Sequence, residues 1–237
     1  CAGLGADWDG AYCHTSVLSE RKAVRDIKVA VPPGDLVDNP VTGPTIRDYL
    51  TTLVNNWRNV GVHMVSDSFG EENFQILQRG DVLSVVFHED YHADGPKFNN
   101  AFFRTFTWDM GRGVRLGGLA DLLKPGVDLG GAIATLGQPF IVDALDAAPP
   151  PAHQPGSYPF QADRWGGPDK VYSGGYKAWA LSGDELILYM PDYPVAHDTP
   201  LDYTPGIMQW FMDGGTVQAH IPLSALSSVL RPQFGGT

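Results

Sequence analysis

The stretch AFFRTFTWDMGRGVRLGGLADLL, residues 101–123, decides the fold that the sequence predicts. Aromatic and β-branched residues alternate with period two over residues 101–108, which indicates a strand. The positions that would share one face of this strand are Phe102, Arg104, Phe106 and Trp108. Residues 109–113 contain two glycines and predict a turn. Residues 114–116 return to an extended course, and a short leucine-rich helix follows and ends before Pro125.

Period-two runs on both sides of this stretch predict further strands. These runs are residues 23–31, 73–77, 82–88, 176–181, 185–190 and 217–221. Two pairs of them flank short glycine-containing turns, at Gly80 and Gly183, and therefore read as antiparallel hairpins. The sequence accordingly predicts a sheet that is mainly antiparallel.

One long helix is predicted between the first two strand runs. Its apolar positions repeat at helical spacing, and they are Ile46, Leu50, Leu53 and Trp57. Thr45 followed three residues later by Asp48 resembles a capping box, with Thr45 as the N-cap. A second, irregular helical region is predicted over residues 133–147, around Gly137. The predicted fold class is α+β, with the long helix packed on a mainly antiparallel mixed sheet. The chain is predicted to form a single domain of residues 1–237. This domain has an N-terminal half of about 1–97 and a C-terminal half of about 98–237.

Composition narrows the functional class. The chain has 237 residues, 43% of them hydrophobic, so it can bury a sizeable core, and its formal net charge of −11 argues against nucleic acid as a partner. No apolar run reaches the roughly 18 residues that a transmembrane helix needs. No phosphate-binding loop or dinucleotide fingerprint occurs, so no cofactor is expected, and the protein is expected to be a monomer. A chain that begins at Cys1 is interpreted as already processed.

The two cysteines, Cys1 and Cys13, leave three interpretations open. A disulfide between them would close a small glycine-containing loop and would indicate an oxidising compartment, and we favour this interpretation. Alternatively, Cys1 is the lipidated first residue of a lipoprotein and Cys13 is free. The third interpretation is two unrelated thiols.

Two motifs could carry hydrolytic chemistry. His88 and His92 stand in an H-E-x-x-H string, but the string follows a strand run, and on an extended chain the two histidines would be roughly 13 Å apart. We therefore predict that they do not share a zinc ion, and no other metal site is expected. No Gly-x-Ser-x-Gly elbow is present, and Ser68 and Ser173 are the nearest serine candidates for a nucleophile. Catalytic residues are accordingly not assigned.

Aromatic residues in the loop of residues 192–215 are the candidate binding residues. They are Tyr193, Tyr203, Trp210 and Phe211. One interpretation is that they fold back over an edge of the core, and the other is that they line a binding surface for sugar or protein.

Several short features, in the same order and at similar spacing, resemble a known family over nearly the whole chain. They are the Cys1/Cys13 spacing, residues 26–31 before the helix, Arg79-Gly80 before the strand run 82–87, Phe106-Thr107-Trp108-Asp109, residues 176–190, and residues 221–226. This pattern is similar to the mycobacterial secreted immunogenic protein family of immunodominant antigens. The C-terminal domain of that family, of unknown function, also occurs in lysozyme-binding anti-sigma factors.

The resemblance implies an exported, disulfide-closed α+β protein at the cell surface or in the medium. It supplies no catalytic residues, although some relatives are described as esterases. Two functional hypotheses follow: a non-catalytic binding or host-interaction protein, whose partner is a host protein or a cell-wall ligand, and a weak serine-type esterase. A Ser hydroxyl within hydrogen-bond reach of a His would distinguish the second from the first.

Overall fold

The computed structural model describes residues 1–92, 100–147, 177–189 and 217–237. Its helices are α1 (Gly34–Val37), α2 (Gly43–Gly61), α3 (Leu129–Leu136) and α4 (Gln138–Asp146). Its strands are β1 (Asp7–Trp8), β2 (Cys13–Leu18), β3 (Val24–Val29), β4 (Ser68–Arg79), β5 (Val82–His92), β6 (Asn100–Asp109), β7 (Val114–Leu116), β8 (Trp179–Ser182), β9 (Glu185–Tyr189) and β10 (Gln218–Pro222). Short 3-10 helices follow β7 and β10, at Leu119–Leu122 and Leu223–Leu226.

Strands β1 to β7 form one seven-stranded sheet in sequence order. Every neighbouring pair is antiparallel except β3 and β4, which are parallel because helices α1 and α2 connect them. The predicted α+β fold with a mainly antiparallel mixed sheet and one long packed helix is therefore confirmed. The strand predicted over 101–108 is β6, and the turn after it places Gly113 at φ 64°.

Helix α2 lies on one face of this sheet because its apolar stripe has the period of a helix. Ile46, Leu50, Leu53 and Trp57 are all buried, as the spacing predicts. The predicted capping box is wrong: Thr42 rather than Thr45 is the N-cap, no side chain caps the helix, and Pro44 occupies the first turn. Proline is favoured there because its missing N–H would have no partner within the helix.

Alternation along β5 and β6 assigns their side chains to two different cores. Phe87 and Trp108 face α2 and are fully buried. The opposite face packs against a second sheet of three strands in the order β10-β9-β8. Two hydroxyls of the first sheet accept hydrogen bonds from the backbone of β8: Thr105 from the amide of Trp179 at 2.9 Å, and Ser84 from the amide of Leu181 at 3.3 Å.

The C-terminal half encloses its own apolar cluster. Side chains of α3, α4, the three-stranded sheet and the last turns contribute to it, with Ile133, Ile141, Ile221, Leu226 and Leu230 all fully buried. The irregular helical region predicted over residues 133–147 is two helices that break at Gly137. The division of the chain near residue 97 stays a prediction, and β5 and β6 pair across that point.

Cys1 and Cys13 form a disulfide with a Cα–Cα distance of 5.0 Å. The bond ties the first 3-10 turn, Ala2–Leu4, to β2, and Leu4 packs beside Cys13 against the α2 side of the sheet. Among the helices in the described ranges, none is both long and apolar enough to cross a membrane.

Candidate functional site

A groove runs along one side of α2, between the helix and the β6–β7 side of the sheet. We call it the helix groove. The part near the start of α2 has a volume of about 480 Å³ and is lined by Pro44, Thr45, Asp48, Tyr49, Thr52, Phe106 and Arg115. The part near the end of α2 has a volume of about 310 Å³ and is lined by Arg25, Leu53, Asn56, Trp57, Val60, Glu89, Tyr91, Phe102 and Arg104.

The two parts follow consecutive turns of one face of α2. Helix residues from Thr45 to Val60 line them, a span of roughly 22 Å at 1.5 Å per residue. On the sheet side, β6 contributes Phe106 to one part and Phe102 to the other. The two parts of the helix groove therefore lie in line along one face of α2.

Aromatic rings form the wall of the helix groove on the sheet side. The rings of Tyr91 and Phe102 are nearly parallel, at 6° and 6.2 Å between centroids. Trp57 extends this row from the helix side, 6.4 Å from Tyr91. Gly70 makes room for the indole, because a Cβ at that position would lie only 2.7 Å from the Trp57 ring.

Each of three arginines lies against one of the rings of the helix groove. The guanidinium carbon of Arg25 is 5.9 Å from the Trp57 ring, that of Arg104 is 5.6 Å from Phe102, and that of Arg115 is 4.8 Å from Phe106. Guanidinium groups at such distances are attracted by the negative face of the ring. The side chain of Arg104 is 57% exposed, and Arg115 is exposed as well, whereas Arg25 is buried.

The floor of the groove is polar at Glu89. Its carboxylate accepts a hydrogen bond from the Tyr49 hydroxyl at 3.0 Å and lies 3.5 Å from Nε of Arg104. Burial raises the pKa of Glu89, and Arg104 and the Tyr49 hydroxyl oppose that rise. Burial also raises the pKa of Tyr49, so its hydroxyl keeps its proton and donates.

Glu72 lies directly across from Glu89 on β4, beneath the groove. It is fully buried, and neither carboxyl oxygen has a hydrogen-bond partner among the residues that the structure describes. Burial, followed by repulsion from Glu89, holds the pKa of Glu72 well above its ordinary value. A ligand in the groove cannot reach this enclosed carboxyl, so the Glu72–Glu89 pair is not a pair of catalytic acids and bases.

The sequence-predicted site residues lie elsewhere or outside the described ranges. Tyr193, Tyr203, Trp210 and Phe211 fall in the segment 190–216, which is outside the described residues, as does Ser173 in 148–176. Ser68 is buried at the start of β4, and its hydroxyl has no hydrogen-bond partner in the described part of the chain.

His88 and His92 both lie on β5, which confirms the strand context predicted for the H-E-x-x-H string. His88 stacks on Phe103 at 4.5 Å, and His92 stacks on Phe69 at 6.4 Å. Within the described ranges, no group of three or more potential metal ligands comes together. The absence of a shared zinc ion stays a prediction.

Sequence reasoning missed the helix groove, although one signal was present. Arg25 is a buried residue of an alternating strand whose other inward residues are apolar, and the exposed Arg104 shares its face of β6 with Phe102, Phe106 and Trp108. A charged residue on a buried face is unusual and needs a structural or functional reason. Here the reason is stacking on a ring at the boundary between the core and the groove.

Two family models each match a part of this chain. Residues 120–224 match the family model "Protein of unknown function (DUF3298)", which supports the predicted C-terminal domain of unknown function. Residues 1–27 match the model "Mannan-binding protein". No curated protein matches the chain.

Two crystal structures share the fold over almost the full length of the chain. One is a DUF3298 family protein from Pseudomonas aeruginosa PAO1, with 14% identity, a TM-score of 0.56 and coverage of 99% of each chain. The other is a DUF3298 family member from Bacteroides fragilis NCTC 9343, with 12% identity, a TM-score of 0.53, and coverage of 97% of this chain and 96% of that one. At 14% and 12% identity, the likeness to these two proteins shows a shared fold alone.

Proposed function

We propose that this protein is a non-catalytic binding protein that acts outside the cytoplasm and holds a carbohydrate chain in the helix groove. The observation that carries the proposal is the pair of half-buried, nearly parallel rings of Tyr91 and Phe102 that lines the groove, with the buried indole of Trp57 6.4 Å from Tyr91. The carbon–hydrogen faces of sugar rings pack on aromatic faces, while their hydroxyls require planar polar partners at the rim. The exposed side chains of Asn56 and Arg104 are such partners in the same part of the groove.

The shape of the groove favours a linear polymer. A pocket for a small molecule encloses most of its ligand. The two open parts of the helix groove instead lie one after the other along α2, and the helix residues that line them span roughly 22 Å at 1.5 Å per residue. The short N-terminal match to a mannan-binding protein also agrees with a carbohydrate ligand, and the matched residues include Arg25 of the groove.

An extracytoplasmic location is supported by the disulfide between Cys1 and Cys13, since such bonds persist in oxidising compartments. The resemblance to secreted mycobacterial antigens points the same way. The ligand is then a glycan of the cell wall or of a host. The loop aromatics Tyr193, Tyr203, Trp210 and Phe211 stay a second proposed contact surface, for sugar or for a host protein.

The esterase alternative has no observation in its favour. Ser68, the serine candidate that lies in the described ranges, has no hydrogen-bond partner for its hydroxyl among the described residues. His220 instead pairs with Glu185 at 3.0 Å, and His14 pairs with Asp26 at 2.5 Å. Turnover of short-chain p-nitrophenyl esters that disappears with a single Ser→Ala change would favour the alternative over the binding function.

The test is affinity electrophoresis of the full chain through gels that contain mannan, peptidoglycan fragments or host-type polysaccharides, followed by calorimetry with the polymer that retards it. Phe102→Ala should weaken binding by about tenfold, because it removes a ring from the row. Phe140→Ala is the matched control: Phe140 is also half-buried, but it packs against the C-terminal cluster, away from the groove. Equal binding by the two variants, or no retardation by any polysaccharide, would contradict the proposal.

A further inference from the structure

We infer that the carbohydrate held by the helix groove is acidic, a polymer whose carboxylate groups pair with Arg104 and Arg115 while its rings lie on the adjacent aromatic side chains. This inference rests on the proposed carbohydrate-binding function and names the chemical class of the ligand. Three observations carry it: the excess of arginines over carboxylates in the groove, the absence of a carboxylate partner for the exposed Arg115 among the described residues, and the position of each arginine beside a ring.

The groove has the opposite sign of charge from the protein as a whole. The chain has a formal net charge of −11, with 16 basic and 27 acidic residues. Three of the basic residues, Arg25, Arg104 and Arg115, nevertheless line this one groove. The carboxylates that line it are Asp48 and Glu89, and Glu89 already accepts the Tyr49 hydroxyl and faces Arg104. Three arginines against two carboxylates leave the groove with a small net positive charge, and a net charge in a groove with low-dielectric walls attracts ligands of the other sign.

Two of the three groove arginines have no carboxylate partner among the described residues, whereas Arg104 lies 3.5 Å from Glu89. Neither Arg25 nor Arg115 has an ion pair within 4.0 Å among the described residues. Arg25 is only 1% exposed; one of its terminal nitrogens donates to the main-chain carbonyl of His92 at 2.5 Å, and its Nε has no hydrogen-bond partner in the described part of the chain. A buried guanidinium without a counter-charge is costly, and a bound anion nearby would offset that cost. The buried Arg25 contributes a positive electrostatic field at the end of the groove. The exposed Arg104 and Arg115 contact the carboxylates of the ligand directly.

The pairing of guanidinium and ring matches the repeating unit of an acidic glycan. Arg104 lies over Phe102, and Arg115 lies over Phe106, so each part of the groove combines a positive charge with an aromatic ring, and a sugar ring would pack on the part of that ring which the guanidinium leaves open. A uronic acid offers the complement, a carboxylate attached directly to a sugar ring. An acidic peptide has its carboxylates on flexible stems and has no ring faces, so it matches only half of this arrangement.

The experiment compares three probes on the full chain by calorimetry: an oligogalacturonate, the same oligosaccharide with its carboxyls converted to methyl esters, and a poly-glutamate of similar length. The oligogalacturonate should bind at least tenfold more tightly than its ester, because a charge-assisted hydrogen bond to each exposed arginine is lost in the ester. Its affinity should fall as salt is added.

Variants locate the contacts. Arg104→Gln and Arg115→Gln should each weaken oligogalacturonate binding by about tenfold while changing ester binding little. Arg112→Gln is the matched control, since Arg112 is a half-exposed arginine of the same hairpin that pairs with Asp109 at 2.6 Å and does not line the groove. All three positions are exposed enough for the variants to fold, which thermal unfolding verifies.

The outcomes separate this inference from the proposed function. Equal binding of the acid and the ester would overturn the inference and leave carbohydrate binding standing. Binding of poly-glutamate alone would overturn both and point to a protein ligand. If no probe binds while a neutral polysaccharide in the gel retards the protein, the ligand is not acidic. If nothing binds in either experiment, the carbohydrate function fails as well.

Discussion

Replacement of Glu72 by leucine should stabilise the protein at neutral pH. The side chain of Glu72 is fully buried, faces Glu89 across the β4–β5 pair, and has no hydrogen-bond partner for either carboxyl oxygen among the described residues. An unsatisfied buried polar group costs about 1–3 kcal/mol of unfolding free energy. Leucine is of similar size and removes that cost, so Glu72→Leu should raise the free energy of unfolding by about this amount.

The gain should depend on pH in a defined direction. Burial raises the pKa of Glu72 in the folded state above its ordinary value of 4.5, so the folded protein keeps this proton after the unfolded chain has lost it. The unfolded state therefore binds fewer protons between the two pKa values, and wild-type stability falls as pH rises through that window. Glu72→Leu abolishes this loss. The difference in unfolding free energy between Glu72→Leu and wild type should be small at pH values below the pKa of Glu72 in the unfolded chain. It should grow as the pH rises toward the pKa of Glu72 in the folded protein.

Urea unfolding of both proteins between pH 4 and pH 8, followed by tryptophan fluorescence, measures the effect. At neutral pH, thermal unfolding should shift upward by about 2–4 °C for each kcal/mol in a chain of this size. Glu71→Leu is the matched control, because Glu71 lies on the opposite face of β4, where it accepts hydrogen bonds from Tyr12 and Asn73. It should give no stabilisation. A Glu72→Leu variant that is less stable than wild type at pH 7, or whose pH profile runs parallel to wild type, would refute the reasoning.

Three further changes test the fold. Gly70→Ala should destabilise by about 1–3 kcal/mol, since its Cβ would lie 2.7 Å from the Trp57 ring; calorimetry should show a lower melting temperature, and an unchanged one would mean that the indole can move aside. The double change of Cys1 and Cys13 to serine should cost about 3 kcal/mol in denaturant unfolding, while mass spectrometry of the wild type should find no free thiol. Trp210→Ala should cost roughly 3–5 kcal/mol if the loop of residues 192–215 covers the core, and less than about 1 kcal/mol if the loop is a binding surface.

The sequence by itself determined the local elements of this protein. The alternation around Phe106, the apolar spacing of α2 and the glycines of the turns each specify a conformation through interactions between residues close in the chain. The confirmed α+β class follows from these elements, because strands joined by tight turns pair antiparallel. Boundaries were less well determined. Thr45 has the residue type of an N-cap, but Thr42 and Pro44 begin the helix one turn earlier.

Only the tertiary structure decided which side chains meet. Arg25, Trp57, Tyr91, Phe102 and Arg104 come from four different elements, and their contact depends on how α2 lies across β3, β5 and β6. A pattern with period two or 3.6 shows which face a residue occupies but not which residue of a distant element faces it. The same limit explains Glu72, which the sequence presents as an ordinary solvated carboxylate beside Glu71. Its burial arises because β4 lies inside the sheet beneath a helix, and that environment is created by parts of the chain far from it in sequence.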